Sequence, residues 1–332
     1  MVYKPVLILA AHTGAAKDFA NRIYQKLANH KNGCWRKYLL KEINIDFHPD
    51  KEIKVEILEN VREHECYFIH DSSLYPQDWK ESLLQVNDAL MISDAAVINN
   101  VLPYMCYSRQ DRPTGRTPIS AALLAENIKS SGAKRVLTTD LHNPAISGFY
   151  RGISFENLKL GYTVLIDYIK EKHGDFLKNA VVVPPDDGAA RRTSGYGKRL
   201  NLSSVSIEKI RDGKTNEILE MKIIGDIKGK NALIVDDIVS TGGTLCDAAH
   251  ILKEKGANSI YAVATHGVLC KDKYGKSAKE KIEASPIEQL IITESIPRKD
   301  DGKIKIVSIS DFIGEVIKRI THAESISELY EI

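Results

Sequence analysis

The chain has 332 residues, with 46 Lys and Arg against 44 Asp and Glu, a formal net charge of +2. That length suits about two domains on the rough scale of 100–200 residues each, and the near-neutral balance excludes an overall basic field that would draw the protein to nucleic acid or an anionic membrane. Cys34, Cys66, Cys106, Cys246 and Cys270 are odd in number and form no CxxC pair, which argues against a disulfide framework or a zinc site and for a reducing cytoplasm.

The first apolar run, Val6–Ala10, is too short for a signal-peptide core and lacks a charged leader, and no stretch approaches the roughly 18 apolar residues of a membrane span. The protein is therefore expected to be neither exported nor embedded, and Asn201-Leu-Ser203 is a chance match to a glycosylation acceptor. Amphipathic spacing then predicts a helix over Ala16–Ala28, followed by a strand at Cys66–His70, a helix at Asp78–Ser93, a strand at Ala95–Leu102, a helix at Ile119–Ser130 and a strand at Arg135–Thr139. Between Gly148 and Gly161 the alternation falters, which sets a domain boundary there. It restarts with a helix at Tyr162–Lys172, strands at Ala180–Val183 and Asn231–Val235, a helix at Gly243–Lys255, strands at Ser259–Thr265 and Gln289–Thr293, and a helix at Phe312–Ile320. Such alternation predicts mainly parallel sheets flanked by helices. The lysine-rich Lys271–Lys281 reads as a solvated loop or helix face, and the two halves share no alignable repeat.

The richest stretch is Asn231 to Leu245, an apolar strand running into Asp236 and Asp237, then Ser240, Thr241, Gly242, Gly243 and Thr244, then a helix. Glycines let backbone N–H groups approach a phosphate, hydroxyls add donors, and the helix N-terminus turns its positive end to the anion. The two carboxylates stand where sugar hydroxyls would lie, so the stretch reads as a phosphosugar cradle. The competing reading is a strand, a turn and a capped helix with two surface aspartates.

Four more loops follow strands. Tyr107-Ser-Arg-Gln-Asp-Arg112 places Arg109 and Arg112 at a strand end, where open α/β sheets bind ligands, and suits a polyphosphate; alone it reads as an exposed salt-bridged loop. Thr138-Thr-Asp-Leu-His-Asn143 puts Asp140 and His142 at a strand end, pointing the same way if extended, and suits a hydrated metal or a phosphate; a structural histidine is the alternative. Val181 to Arg192 bends at Asp186, Asp187 and Gly188 and could hold pyrophosphate and Mg²⁺, or simply cap the next helix. Lys209-Ile-Arg211, after a strand-like Leu202–Ile207, leads into polar Asp212–Asn216, the composition of a hairpin or lid. Gly213-Lys-Thr215 and Gly275-Lys-Ser277 are not Walker loops, because the required earlier glycine is Glu208 in one and Cys270 in the other.

Together, in this order and at these separations, the five segments resemble ribose-phosphate pyrophosphokinase, the PRPP synthetase family, over nearly the whole chain. The resemblance implies an α/β fold of two tandem phosphoribosyltransferase-type (type I) domains, each a mainly parallel sheet flanked by helices. They would cover residues 1–157, with the ATP-contacting loops, and 158–311, with the ribose 5-phosphate site; a C-terminal helix, 312–332, would pack back on the first. It implies transfer of the β,γ-diphosphoryl group of ATP to the anomeric hydroxyl of ribose 5-phosphate, giving PRPP and AMP, with Mg²⁺ as cofactor. Carried over by position, Asp236, Asp237, Ser240, Thr241, Gly242, Gly243 and Thr244 would bind ribose 5-phosphate; Arg109, Gln110, Asp111 and His142 would contact ATP; His142 and Asp186 would meet Mg²⁺; and Lys209 and Arg211 would be the catalytic pair. Phe47, Asp50 and Glu52 resemble a loop that reaches the adenine site of a neighbouring subunit, which implies a homo-oligomer, at least a dimer, with a hexamer as the larger alternative. ATP and ribose 5-phosphate are the expected partners, with no nucleic acid and no membrane.

The chain departs from the commoner pattern at Ser240, often an aspartate, and in Pro185-Asp-Asp-Gly-Ala189, where two glycines and an apolar residue are more usual and where Asp187 and the Ala189 methyl bear on pyrophosphate contact. Losing a carboxylate at 240 removes repulsion toward the sugar phosphate, so binding should survive. Two rival readings share the cradle: a PRPP-consuming phosphoribosyltransferase, and a non-catalytic regulatory paralogue of the synthetase. The length and the Arg109-Gln110 and Lys209/Arg211 pairs speak against the first, and the retention of His142, Lys209 and Arg211 against the second.

Overall fold

The computed structural model describes residues 4–29, 36–211 and 218–330, which form two compact units. The first comprises the chain up to Leu158 together with Ser295–Pro297 and the segment from Ile309; the second comprises Lys159–Glu294 and Arg298–Ser308.

In chain order the first unit holds β1 (Val6–Ala11), α1 (Ala15–Ala28), β2 (Tyr38–Phe47), β3 (Ile53–Ile57), β4 (Glu65–Ile69), α2 (Pro76–Ile92), β5 (Val97–Leu102), α3 (Ser120–Ser130), β6 (Arg135–Thr139) and β7 (Ser154–Leu158). They build a seven-stranded sheet in the order β3-β2-β1-β4-β5-β6-β7, parallel except for the β2–β3 hairpin. Buried apolar runs such as Val6–Ala11 are what a parallel sheet covered on both faces requires. Leu7, Leu9 and Phe68 share one core with Trp79, Leu83 and Leu90 of α2 and Leu124 and Ile128 of α3.

In the second unit, α4 (Val164–Lys172), α5 (Gly174–Leu177), β8 (Ala180–Val183), α6 (Ala190–Leu200), β9 (Ser203–Ser204), β10 (Ser206–Arg211), β11 (Ile218–Ile224), β12 (Asn231–Val239), α7 (Gly243–Glu254), β13 (Ile260–Gly267), α8 (Ala278–Ala284), β14 (Gln289–Thr293) and β15 (Ile304–Val307) follow one another. The main sheet is all parallel, ordered β15-β14-β13-β12-β8-β9, and β10 and β11 form a separate antiparallel ribbon. Period-two alternation divides each central strand between two cores. Val181, Val183, Ala232 and Ile234 pack with Leu245, Ala249 and Leu252 of α7, whereas Val182, Leu233 and Val235 pack with Leu165 and Ile169 of α4 and Tyr196 of α6. The last helix, α9 (Ser310–Thr321), lies in the first unit, where it packs on α1 and Thr321 Oγ1 lies 3.4 Å from the Tyr67 hydroxyl.

Helix α6 carries one close approach that matters for the site. A Cβ on Gly195 would lie 2.6 Å from the Tyr162 ring, and that ring is held by Tyr196 at 5.7 Å and by the Arg199 guanidinium at 4.6 Å. Alanine would gain about 1 kcal/mol of helix propensity, but the overpacking costs about 1–3 kcal/mol. Gly195→Ala is thus expected to lower the melting temperature; a thermal denaturation series showing a gain would refute this packing.

Candidate active site

The cradle is built by the end of β12. Its first five residues are buried because helices cover both faces, and the strand runs on through Asp236 and Asp237 to Val239, four residues beyond the Val235 end expected from sequence. Parallel pairing with β13 as far as Val239↔Gly267 sustains this extension, so the carboxylates belong to the sheet rather than to the turn. Asp236 Oδ1 accepts the backbone N–H of Asp237 at 2.8 Å. The Asp237 carboxylate, only 5% exposed, pairs with Arg192 Nη1 from α6 at 3.1 Å. Burial, then the Asp237 charge beside it and the more distant Asp186, push the Asp236 carboxyl up to about 8. The two aspartates thus behave differently: Asp237 is tied to an arginine, while Asp236 holds its proton to higher pH than an ordinary carboxyl.

Beyond the strand, Ser240 and Thr241 are half-buried, and Gly242 takes φ 74°, a left-handed conformation that a glycine adopts without a Cβ penalty. Helix α7 then starts with no side chain capping it, and its first intrahelical bond to Gly242 comes only from Cys246 N. Its earliest N–H groups therefore face the loop with the positive end of the helix dipole, the arrangement an anion requires. Behind the loop, Leu269 N and Cys270 N donate to Val239 O and Ser240 O, each at 3.0 Å, and Cys270 Sγ lies 3.3 Å from Ser240 Oγ. Ala278, at the start of α8, stands 3.6 Å from where a Gly242 Cβ would be.

The loop after β8 turns at Asp186, which accepts Ala189 N through Oδ1 at 3.3 Å, so it caps the entry to α6 while its charge acts on Asp236. Ala189 is buried, its carbonyl accepting Thr193 Oγ1 at 3.0 Å, so its methyl is turned away from the solvent side of the loop. The side chain of Asp187 lies outside the described residues. Lys209 and Arg211 are positioned by backbone only: both belong to β10 itself, opposite Met221 and Ile218, with a register irregularity between Ile210 and Arg211. Their side chains, and the hairpin segment 212–217 that the sequence suggested as a lid, lie outside the described residues.

In the first unit, the loop after β5 buries Met105 and Cys106, whose thiol burial pushes up to about 12, and turns at Tyr107 with φ 63°. Arg109 and Gln110 are exposed on this turn. Gln110 anchors it to α3, accepting Ser120 Oγ at 2.6 Å on its side chain and Ala121 N at 3.1 Å on its carbonyl. Asp111 Oδ2 accepts Asn143 Nδ2 at 2.6 Å, and Asn143 Oδ1 caps the next turn through Ala145 N at 3.0 Å. That link joins the Arg109 loop to the His142 loop. Asp140 and His142 do not point the same way, as an extended chain would have had them: Asp140 adopts φ 31° and is buried, whereas His142 is exposed. The left-handed bend, which aspartate tolerates, breaks the alternation.

Phe47, Asp50 and Glu52 occupy the β2–β3 hairpin, where Phe47 is 48% exposed and Asp50 Oδ1 accepts Glu52 N at 3.2 Å. Glu52 and Tyr107 line one cavity of about 480 Å³ with Lys51, Gln77 and Asp78, which brings the hairpin beside the Arg109 turn. Among the described residues no three His, Cys, Asp or Glu form a metal-ligating group. His142 and Asp186 fall in different units.

Sequence reasoning missed Arg192 as the partner of Asp237, Asn143 as the tie between loops, and the part of 269–278 in walling the cradle. Only the last had a signal, since the chain leaving β13 must run beside the chain leaving β12.

Comparison with known proteins bears on the whole chain. Residues 8–132 match the family described as the N-terminal domain of ribose phosphate pyrophosphokinase, and residues 206–331 match the phosphoribosyl synthetase-associated domain. Ribose-phosphate pyrophosphokinase of Campylobacter jejuni is 41% identical over 299 residues, 89% of this chain and 93% of that protein; the Brucella melitensis enzyme is 42% identical over 287 residues, 85% and 89%. The crystal structure of phosphoribosylpyrophosphate synthetase from Mycobacterium smegmatis superimposes with a TM-score of 0.83 at 27% identity, covering 96% of this chain and 100% of that one.

Proposed function

The chain belongs to the ribose-phosphate pyrophosphokinase family, and from that premise we propose how its own residues perform the reaction. The enzyme transfers the β,γ-diphosphoryl group of ATP to the anomeric hydroxyl of ribose 5-phosphate, giving PRPP and AMP. Ribose 5-phosphate sits in the cradle, its phosphate on the α7 N-terminus with Ser240, Thr241, Gly242, Gly243 and Thr244, and its hydroxyls on Asp236 and Asp237. The observation that carries this assignment is the uncapped start of α7 directly after a strand-borne carboxylate pair, one of which is crowded far above its usual range.

Arg109, Gln110, Asp111 and His142 take the triphosphate and nucleoside of ATP, supported by the Asp111–Asn143 link that holds the two loops as one surface. Phe47, Asp50 and Glu52 serve the adenine site of a second copy of the chain, so the working enzyme is a homo-oligomer of at least two chains; an exposed phenylalanine at a hairpin tip suits that use. As the anomeric oxygen bonds to the β-phosphorus and gives up its proton to solvent, the bond from that phosphorus to the oxygen bridging it to the α-phosphate breaks and its electron pair leaves with AMP. Charge spreads over the β-phosphoryl oxygens, and Lys209 and Arg211 stabilise it more in the transition state than in the ground state. No protein nucleophile is needed.

Mg²⁺ would draw charge from the reacting phosphorus and orient the polyphosphate. Asp186 would offer a hard carboxylate oxygen of the type this ion prefers and His142 would meet the ion or a metal-bound phosphate, with phosphate oxygens and water supplying the remaining ligands. Cys66, Cys106 and Cys246 are buried free thiols, which suits a cytoplasmic enzyme.

Mixing the purified protein with Mg-ATP and ribose 5-phosphate is expected to give AMP and PRPP in equal amounts. Formation of ADP, or no turnover across a range of phosphate concentrations, would overturn the assignment.

A further inference from the structure

The segment joining β13 to α8, Val268–Ser277, is a short hairpin bearing Lys271, Lys273 and Lys276. It is attached to the cradle at both ends. At its start, Leu269 N and Cys270 N bond to the carbonyls of Val239 and Ser240; at its end, Ala278 N donates to Cys270 O at 3.2 Å, and Ala278 backs Gly242. Lys271 and Ser277 pair as an isolated bridge across it.

One side chain organises the turn. Asp272 Oδ1 accepts Tyr274 N at 2.9 Å and Lys276 N at 3.0 Å, while Oδ2 pairs with Lys281 Nζ of α8 at 2.6 Å. Asp272 N in turn donates to Lys276 O at 2.9 Å. The carboxylate thus fixes where Lys276 stands. Lys276 therefore stands two residues before Ala278, which lies 3.6 Å from where a Gly242 Cβ would be at the cradle, and, after burial and nearer groups, the Lys281 and Lys276 charges act on the Cys246 thiol in the first turn of α7. Two neighbouring lysines are differently engaged: Lys273 lies over the Tyr274 ring at 4.9 Å, and Lys279 of α8 pairs with Asp301 at 2.5 Å.

We propose that this hairpin is a cationic brace of the ribose phosphate site, in which Asp272 is a positioning residue and Lys276 is a specificity-determining charge favouring a phosphorylated over an unphosphorylated sugar. The brace rests on the reading of the cradle as the ribose 5-phosphate site. Its attraction acts on substrate binding and not on the diphosphoryl step, because the phosphate of the sugar is remote from the bond that forms.

Steady-state kinetics with ribose 5-phosphate separate the possibilities. Lys276→Ala is expected to raise KM for ribose 5-phosphate about threefold, the scale of one partly screened charge, with kcat and KM for ATP unchanged. The difference should vanish near 1 M salt, where the screening length is about 3 Å. Lys279→Ala, which removes the same charge from a lysine already paired with Asp301, should leave KM unchanged. Asp272→Ala should raise KM at least as much as Lys276→Ala, and Asp272→Asn, which keeps an acceptor for both N–H groups, should recover most of the loss. Equal KM values for Lys276→Ala and Lys279→Ala would overturn the brace, as would a fall in kcat at constant KM in Asp272→Asn. If the wild-type enzyme itself turns over no ribose 5-phosphate, the functional reading fails and the brace with it, an outcome distinct from wild-type turnover with insensitive variants.

Discussion

Replacing Lys209 or Arg211 with alanine is expected to lower kcat by about 10³-fold or more while moving KM for ribose 5-phosphate less than about threefold, by the precedent of arginine fingers at phosphoryl transfer. Neither residue is needed to hold the sugar, whose contacts are assigned to the α7 N-terminus and Asp236. In the proposed roles their work begins only when charge moves onto the β-phosphoryl oxygens, so the loss is expected to fall on the transition state alone. The two positions are joined by one strand, β10, with its register irregularity between them. Residues that act as a unit lose less together than the product of their separate losses. The double variant should therefore be little worse than the poorer single one. A tenfold rise in KM at unchanged kcat would remove both from the catalytic role.

The second large effect concerns the carboxylate pair, where stability and binding should move in opposite directions. Asp236 carries a folded-state pKa raised to about 8 by burial and by Asp237. The folded protein therefore holds that proton more tightly than the unfolded chain, and its stability contribution falls as pH rises from about 4 to about 8. Asp236→Asn removes this penalty: the variant should melt at higher temperature than wild type above pH 8, and the gain should shrink to nothing near pH 4. Near pH 7, where the raised pKa keeps Asp236 mostly protonated, ribose 5-phosphate binding should weaken by about 2- to 10-fold, the scale of a lost neutral hydrogen bond. Arg192→Ala does the reverse. It leaves the buried Asp237 carboxylate without its guanidinium and should destabilise by about 3 kcal/mol. Melting curves of both variants between pH 4 and 9 test the pair; a pH-independent effect of Asp236→Asn would show that Asp236 is not the crowded group.

Much of the fold was legible in local patterns. The strands Arg135–Thr139, Ala180–Val183 and Gln289–Thr293 have the bounds expected from sequence, because each is a short β-branched run buried on both faces. β2 and β3 were missed, as were the edge strands β7 and β15. In Tyr38–Phe47 only Tyr38 and Ile43 are fully buried and charged residues interrupt the run, so no continuous apolar signal marks an exposed flank of the sheet. The site loops could be read from their chemistry, since glycines, hydroxyls and carboxylates after a strand have few other uses. What could not be read were distant pairings: Arg192 with Asp237, Asp111 with Asn143, and Asp272 with Lys281 each join segments whose proximity only the folded sheet decides. The bend at Asp140 was equally hidden, because a left-handed aspartate leaves no mark in sequence spacing.

The return of α9 to α1 ties folding to synthesis. Ile313, Val316 and Ile317 of α9 are buried, and Lys26 of α1 lies 3.0 Å from where a Cβ on Gly314 would be. On a ribosome adding roughly 5–20 residues per second, the helix that completes the first unit emerges many seconds after the strands it covers. Until residues 310–321 have been made, the α1 flank they cover stays bare, so the first unit is begun before the second and completed after it.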